Sequence, residues 1–448
     1  MTCHVESRRV LFVAGSAHPL GGLMTWLDYL LPGLARRGWD PVLGLVEGLR
    51  HHRPERLVAE HPHERWIRIP CRTGTPEGRS RALAEALTVQ RPAVAVGVNI
   101  PDLYPALHHV RRSGCPTRGL MTVHGIEPDL YADALRFREV LDGVAATNRL
   151  ACRLLEEVSG VQPERVFYAP YGVESTPPGP RSRRPGGRLR IGYAGRLEHS
   201  QKRVLDLPRV SNALDRLGIE VEWKVAGSGP AEDGLRRAMP PERTSFLGAV
   251  PGHDLPARLY REIDALLVLS SWETGPLVVW EAMAEGIPVV ASRYLGSGLE
   301  GALRHEENAL LFEIGDPEEA ARQLSWLSGD TALAERLAAG GRALLRERYD
   351  RERSLDAWEH ALAAVLELPP RRSAAVGPHV PPATGRLERW LGPRWAESTR
   401  WLLGRRGPEA GSGGEWPHAY GPGLDPDEFL QRARELDRRE EGIACSRL

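Results

Sequence analysis

Glu273 and Glu281, with seven residues between them in the stretch DALLVLSSWETGPLVVWEAMAEGIPVVAS over 264–292, are the residues whose types and spacing first suggest chemistry. An ionised carboxylate only accepts hydrogen bonds and can take two at once, which matches the vicinal hydroxyls of a ribose or a sugar ring. The same two acids could instead simply complement a helix dipole. The frame around them bears on the choice. Apolar runs over 265–269 and 287–291 predict two strands buried on both faces. Ser271, Trp272, Glu273, Thr274 and Gly275 form a turn into a helix that carries Leu277, Val278, Glu281, Ala282 and Met283 along two turns before Gly286 and Pro288 stop it. The carboxyl end of the first strand of such a βαβ unit is where open parallel sheets bind ligands, because the next helix presents unpaired N–H groups and a partial positive charge. A phosphate suits that place. Glu273 then lies in the loop at the crevice mouth and Glu281 deeper along its wall, so the two carboxylates can do different work.

Basic and glycine-rich turns offer partners for a phosphate. After an apolar run over 189–194 comes GRLEHSQKRVLDL, with Arg196 as a planar fork of donors and Lys202 as a point charge, a pair able to neutralise a diphosphate. Lysine occurs only as Lys202 and Lys224, so its presence here is suggestive, although both bases could be solvated charges at a helix start. Gly21 and Gly22 follow the apolar strand RVLFVA over 9–14 and precede a helix over 23–37; they could line a phosphate or sugar pocket or make a tight turn. Gly227 and Gly229 close another strand over 221–226. They do not make a dinucleotide fingerprint, since position 232 is Glu and no acid follows at ribose distance, and no P-loop pattern is present. His124 stands in a loop after a strand over 120–123, again at a carboxyl edge, where a histidine is either a ligand contact or simply solvated.

Glu273 and Glu281, followed by Ala282, Met283, Ala284, Gly286, Pro288, Val289 and Val290, resemble the E-x7-E signature of the retaining family 4 glycosyltransferases, which have the GT-B fold. The resemblance implies that Glu273 lies by the donor sugar, that Glu281 holds the nucleotide ribose, and that backbone around Thr274, Gly275, Pro276 and Leu277 faces sugar and diphosphate, Pro276 contributing no N–H. Gly195, Arg196 and Lys202 match the family's G-R-L-x-x-x-K pattern; Arg203 follows where Gly is usual, which allows a different local geometry. By the same resemblance Gly21 and Gly22 face donor and acceptor, Gly227 and Gly229 border the nucleotide pocket, residues 246–248 lie next to the base, and the glycines of 294–301 lie near the diphosphate; Glu300 pointing inwards would set negative charge against the phosphates, so it is expected to turn away. His124 is implied to reach the donor sugar as a hydrogen-bonding group rather than a nucleophile. Tyr171, Gly172, Val173 and Glu174 resemble the segment that ends the family's first domain.

The expected fold is therefore α/β: two Rossmann-like doubly wound domains facing a cleft, plus a C-terminal extension. The expected divisions are an acceptor-side domain over 1–174, a linker over 175–188, a nucleotide-sugar domain over 189–350, a cross-over helix over 351–368 and a Pro- and Gly-rich tail over 369–448. The implied activity is transfer of a sugar from a nucleoside-diphosphate sugar to a sugar, lipid-linked or small-molecule acceptor, with retention of configuration, no cofactor and no metal. Arg196, Lys202, Glu273 and His124 carry the chemistry in this reading. An epimerase or hydrolase of the same fold, or a catalytically silent binding protein, are the alternatives.

Composition bounds the rest. At 448 residues and 42% hydrophobic content there is material for two cores, and 59 basic against 59 acidic residues give no general case for nucleic-acid binding. Cys3, Cys71, Cys115, Cys152 and Cys445 are odd in number and lack a C-x-x-C pair, which fits a reducing cytoplasm better than a disulfide framework or zinc site. No stretch approaches the ~20 apolar residues of a membrane span. In the tail, Trp390, Trp395, Trp401, Leu402 and Leu403 mix with Arg386, Arg389, Arg394, Arg400, Arg405 and Arg406, so this stretch packs on the protein's own domains, lies on an anionic membrane surface or, least in keeping with the balanced charge, binds nucleic acid. Asp425-Pro426-Asp427 reads as a helix cap before 429–436 rather than a D-x-D metal motif.

Overall fold

The computed structural model describes residues 8–16, 21–47, 52–174, 187–371, 385–407 and 423–439. The linker segment 175–186, the Pro-rich stretch 372–384 and the glycine run 411–414 lie outside the described residues.

Seven strands, β1 (Arg9–Ala14), β2 (Asp40–Val46), β3 (Trp66–Ile69), β4 (Val94–Val98), β5 (Arg118–Val123), β6 (Gly143–Ala146) and β7 (Val166–Tyr168), form one sheet in the order β3-β2-β1-β4-β5-β6-β7. Six more, β8 (Leu189–Ala194), β9 (Val221–Ala226), β10 (Thr244–Gly248), β11 (Ala265–Val268), β12 (Val289–Ser292) and β13 (Leu310–Phe312), form a second, β10-β9-β8-β11-β12-β13. Every pairing between neighbouring strands is parallel. Parallel strands need crossovers that cover both faces, so these strands are unbroken apolar runs such as VLFVA and ALLV, and most of their residues are buried. The expected pair of doubly wound α/β domains is what the chain forms.

Helices α1 (Gly22–Arg36), α2 (Pro54–Glu60), α3 (Pro76–Gln90), α4 (Leu103–Arg112), α5 (Pro128–Phe137) and α6 (Arg149–Glu157) wind round the first sheet. Helices α7 (Leu207–Arg216), α8 (Glu232–Ala238), α9 (Leu255–Arg258), α10 (Leu277–Ala284), α11 (Pro317–Gly329) and α12 (Thr331–Leu344) belong with the second. Helix α12 does not run on into the next helix: after Leu344 the chain makes a π-helical turn, Leu345–Tyr349, and then bends at Asp350. There Val173 and Asp350 pair as a bridge, with Val173 N donating to Tyr349 O and Arg351 N to Val173 O, so the outgoing and returning chains lie side by side. Helix α13 (Arg351–Glu367) then packs on the first sheet, with Leu355 against Gly33 of α1 and Trp358 against Trp26.

Beyond it lie α14 (Arg386–Leu403), kinked at Gly392-Pro393, and α15 (Pro426–Arg439). Asp425 caps α15 by accepting from Asp427 N and Glu428 N, both at 3.0 Å. Helix α15 buries Phe429, Ala433 and Leu436 in the core of the first sheet, against α5 and α6. Edge strands β10 and β13 were not visible as strands in the sequence: β10 reads TSFLG, half-exposed and without an unbroken apolar run, and β13 is only three residues long.

Candidate functional site

In both sheets the strand order reverses beside a central strand, between β1 and β4 and between β8 and β11, and the loops leaving those strands open a crevice at their carboxyl ends. Gly195 and Arg196 leave β8 directly, and residues 270–275 connect β11 to α10. Glu198, which the sequence reading passed over, shapes the first of these loops. Its carboxylate accepts from Ser200 Oγ (2.5 Å), Gln201 N (3.1 Å) and Lys202 N (2.7 Å). Burial alone would raise the Glu198 carboxyl, but these bonds and the nearby Arg196 charge hold it below the usual range. Gln201 then stitches the loop to the next one, its carbonyl accepting from Ser271 N (2.7 Å) and its amide donating to Trp272 O (3.1 Å).

This stitching brings Lys202 Nζ to 2.5 Å from Glu273 Oε1, which also accepts from Ser270 Oγ at 2.6 Å. Glu273 is buried, and its backbone N–H donates to Leu295 O (3.0 Å). The two groups expected to meet different parts of a donor therefore meet each other here, so an entering diphosphate would share Lys202 with Glu273. Arg196 is exposed at the same carboxyl edge, its carbonyl accepting from Tyr193 Oη (3.1 Å). Arg203 takes up a left-handed backbone (φ 50°, ψ 34°), a conformation a glycine would adopt without strain, and is held there by Asp206 (2.8 Å).

Helix α10 follows Pro276 with no side-chain cap, its Val279 N–H donating to Pro276 O, so its uncapped start lies at the carboxyl end of β11. Glu281, two turns in, accepts from Tyr260 Oη at 2.7 Å. Burial pushes the Glu281 carboxyl up to about 7, against the opposing pull of that hydrogen bond, so the ionised acceptor expected from the sequence is only partly populated at neutral pH in the free protein. Leu277 lies against Gly22, where an added Cβ would come within 3.4 Å of Leu277 Cδ1, so the glycine turn of the first sheet faces the start of α10. Gly21 is extended (φ 163°) and open, with nothing within 4 Å of the place a Cβ would occupy.

Gly227 and Gly229 act through backbone contact. A Cβ on Gly227 (φ +140°) would sit 1.9 Å from Gly195 O and one on Gly229 2.4 Å from Leu197 O, so both residues hold the β9 turn against the Gly195–Leu197 backbone. Their place is beneath the Arg196 loop. Thr274 donates its hydroxyl to the carbonyl of His124 (2.7 Å), and Gly275 (φ +148°) lets Tyr171 approach, so both tie the two halves together across the cleft. The Thr274 hydroxyl, on a residue expected to face the donor through its backbone, is in this way engaged by the opposite domain.

His124 follows β5. Its Nδ1 is 2.6 Å from Tyr171 Oη, and its ring stacks on Tyr171 and packs on Trp26 and Trp358. Burial pushes the imidazole down to about 3, so the ring is neutral, and its Nε2 is buried without a hydrogen-bond partner. Such a group can donate or accept one hydrogen bond and is a poor proton carrier at neutral pH. In the loop after β12, Gly296 N (2.8 Å), Gly298 N (3.3 Å) and Leu299 N (2.7 Å) all donate to the carboxylate of Asp437 on α15. Glu300 is turned onto Tyr168, Tyr349, Arg348 and the N–H of Arg149. Asp437 lies about 140 positions further along the chain, and no local pattern could have paired it with this loop. Among the described residues no group of three or more His, Cys, Asp or Glu is placed to hold a metal ion.

Residues 188–330 match the family described as glycosyl transferases group 1. This part of the chain, which carries Arg196, Lys202, Glu273 and Glu281, is similar to that family. The chain is similar to a D-inositol 3-phosphate glycosyltransferase of Streptomyces bingchenggensis, 30% identical over 292 residues, covering 58% of this chain and 60% of that protein. It is also similar to the lipopolysaccharide core biosynthesis glycosyltransferase LpsE of Rhizobium meliloti, 35% identical over 102 residues that cover 23% of this chain and 29% of that one. The chain thus spans less than two thirds of the length of these curated relatives. Among solved structures it resembles the Anabaena protein Alr3699/HepE in complex with UDP (TM-score 0.64, 18% identity, 80% of this chain and 100% of that one). It also resembles a sucrose-phosphate synthase from Thermosynechococcus elongatus (TM-score 0.67, 19% identity, 80% and 99%). At such identity the likeness is one of fold, and the fold is GT-B.

Proposed function

We propose that this protein transfers a sugar from a nucleoside-diphosphate sugar, held mainly by the second domain, to an acceptor presented mainly by the first, with retention of configuration. The observation that carries the reading is the joining of Lys202 to Glu273 and Ser270 at the carboxyl end of β11, beside the uncapped start of α10 and the exposed Arg196. Two cations and a helix N-terminus converging on one crevice are what a departing diphosphate needs, because charge that develops on the leaving group is stabilised by donors already in place. Glu281 suits the ribose hydroxyls: their hydrogen bonds to its carboxylate would favour the ionised form over the protonated one. The unpartnered Nε2 of neutral His124 suits a sugar hydroxyl.

Retention rests on the resemblance to family 4, in which the departing phosphate takes the acceptor proton on the face it leaves. The acceptor is a sugar, a lipid-linked sugar or a small molecule, and no metal takes part in this reading. Because the HepE structures contain UDP and UDP-glucose, the uridine series is the first to test.

The test is thermal stabilisation by UDP-, GDP-, ADP- and TDP-sugars with EDTA present, comparing the native protein with Glu281→Ala. A shift with one nucleotide series that disappears in the variant is expected from ligand linkage. No shift with any donor would sink the reading. Consumption of a donor without acceptor would replace it with an epimerase or hydrolase.

A further inference from the structure

Helix α14 presents two unlike faces. The inner one holds it to the first domain: Glu397 accepts from Thr73 Oγ1 (2.7 Å) and Thr75 Oγ1 (2.5 Å) at the start of α3, Arg400 makes a fork on Glu388, and Ala396 is fully buried. The outer face is apolar and open, with Trp390 89%, Trp395 74%, Trp401 56%, Leu402 76% and Leu403 65% exposed. Trp395 and Leu402 are seven residues apart and share a stripe of the helix. The charges of this segment are sorted between the faces. Its two acids, Glu388 and Glu397, are buried, whereas Arg386, Arg389, Arg394, Arg405 and Arg406 are exposed. Arg72 adds a further cation over the Trp401 ring, 6.0 Å from its centroid.

We propose that this face docks the protein on an anionic lipid bilayer, with α14 lying in the interface plane. Tryptophan has an apolar body and a polar edge and settles at headgroup depth, while arginines close to an anionic surface gain from its potential. No acid on the open face opposes that attraction. A second copy of the chain would bring the same arginines against each other, and like charges across an interface disfavour pairing. The two exposed leucines at the end of the helix fit an acyl boundary better than a nucleic acid. No described helix is long and apolar enough to cross a membrane, so the contact is with the surface. This inference does not depend on the donor chemistry, and its test uses no nucleotide sugar.

The experiment is co-sedimentation of the full chain with phosphatidylcholine vesicles with and without phosphatidylglycerol, at low and high salt. Binding to the anionic vesicles, weakened by salt and nearly absent on the neutral ones, is expected. Trp395→Ser with Leu402→Ser should weaken it on the order of ten-fold, and Arg389→Gln with Arg394→Gln about thirty-fold, both with unchanged Tm since all four side chains are exposed. Absence of binding, equal binding to neutral vesicles, or equal binding by the variants would overturn the proposal. Concentration-dependent self-association, or capture of a single-stranded oligonucleotide, without vesicle binding would overturn it in favour of a second copy or a nucleic acid.

Discussion

Lys202 and Glu273 form a partly buried ion pair at the place where the proposed reaction separates charge, so substitutions there act on stability and on turnover by different routes. Lys202→Ala leaves a buried carboxylate without its cation, and we expect a loss of about 1–3 kcal/mol in stability together with a fall in kcat of about 10²–10³. Adding Glu273→Gln should restore much of the stability and none of the turnover, a separation that denaturation and kinetics on the double-mutant cycle would reveal. Glu281 gives a pH dependence whose sign follows from its carboxyl lying at about 7 in the folded chain, above the ordinary 4.5. Its contribution to stability is present below about pH 4.5 and is lost as pH rises through about 7. Glu281→Gln should therefore raise Tm relative to the native protein at pH 8 and leave it nearly unchanged at pH 4. Donor affinity should run the other way, rising as pH passes 7 with proton release on binding; calorimetry in two buffers of different ionisation enthalpy would show that proton. His124, held near 3, should contribute no limb to a pH–rate profile between pH 5 and 9.

At the scale of elements, the site depends on two loops pressed together by glycines. Gly227→Ala would drive a Cβ to within 1.9 Å of Gly195 O at a positive φ, and we expect a loss of more than about 2 kcal/mol by chemical denaturation, with the Arg196 loop displaced. Gly21→Ala meets no neighbour and should leave Tm unchanged. A drop in turnover for that variant alone would mark the glycine turn as facing the substrates, whereas unchanged turnover would remove it from the site. These elements were legible to different degrees. The unit β11–α10–β12 was readable because ALLV and VVAS are buried on both faces and Gly286 and Pro288 mark the turn between them. Its helix carries Trp280 stacked on Tyr349, 4.2 Å away, and nothing in the local spacing could indicate a contact with a π-helical turn so far along the chain.

For the whole molecule, the cleft is bridged at several points. Thr274 meets the His124 carbonyl, Glu300 joins Tyr168 and the Arg149 N–H to Arg348 and Tyr349, and α15 packs on the first domain while Asp437 holds the Gly296–Leu299 backbone of the second. Asp437→Ala would strip three N–H groups of their acceptor, and we expect about 1–3 kcal/mol of lost stability with faster hydrogen exchange confined to 294–301. Slow exchange there in the variant would show that the loop needs no strap. By itself the sequence determined the two parallel sheets and which turns end at their carboxyl edges, because burial on both faces writes itself as apolar runs and glycine marks the close turns. It also pointed to Glu273, Glu281, Arg196, Lys202 and His124. Only the tertiary structure decided what those groups do to one another: that Lys202 pairs with Glu273, that Glu281 is partly protonated, that His124 is neutral and walled by rings, and that Asp437 closes over the second domain. Pairing and desolvation depend on distances between residues far apart in the chain, and those distances exist only once the chain is folded.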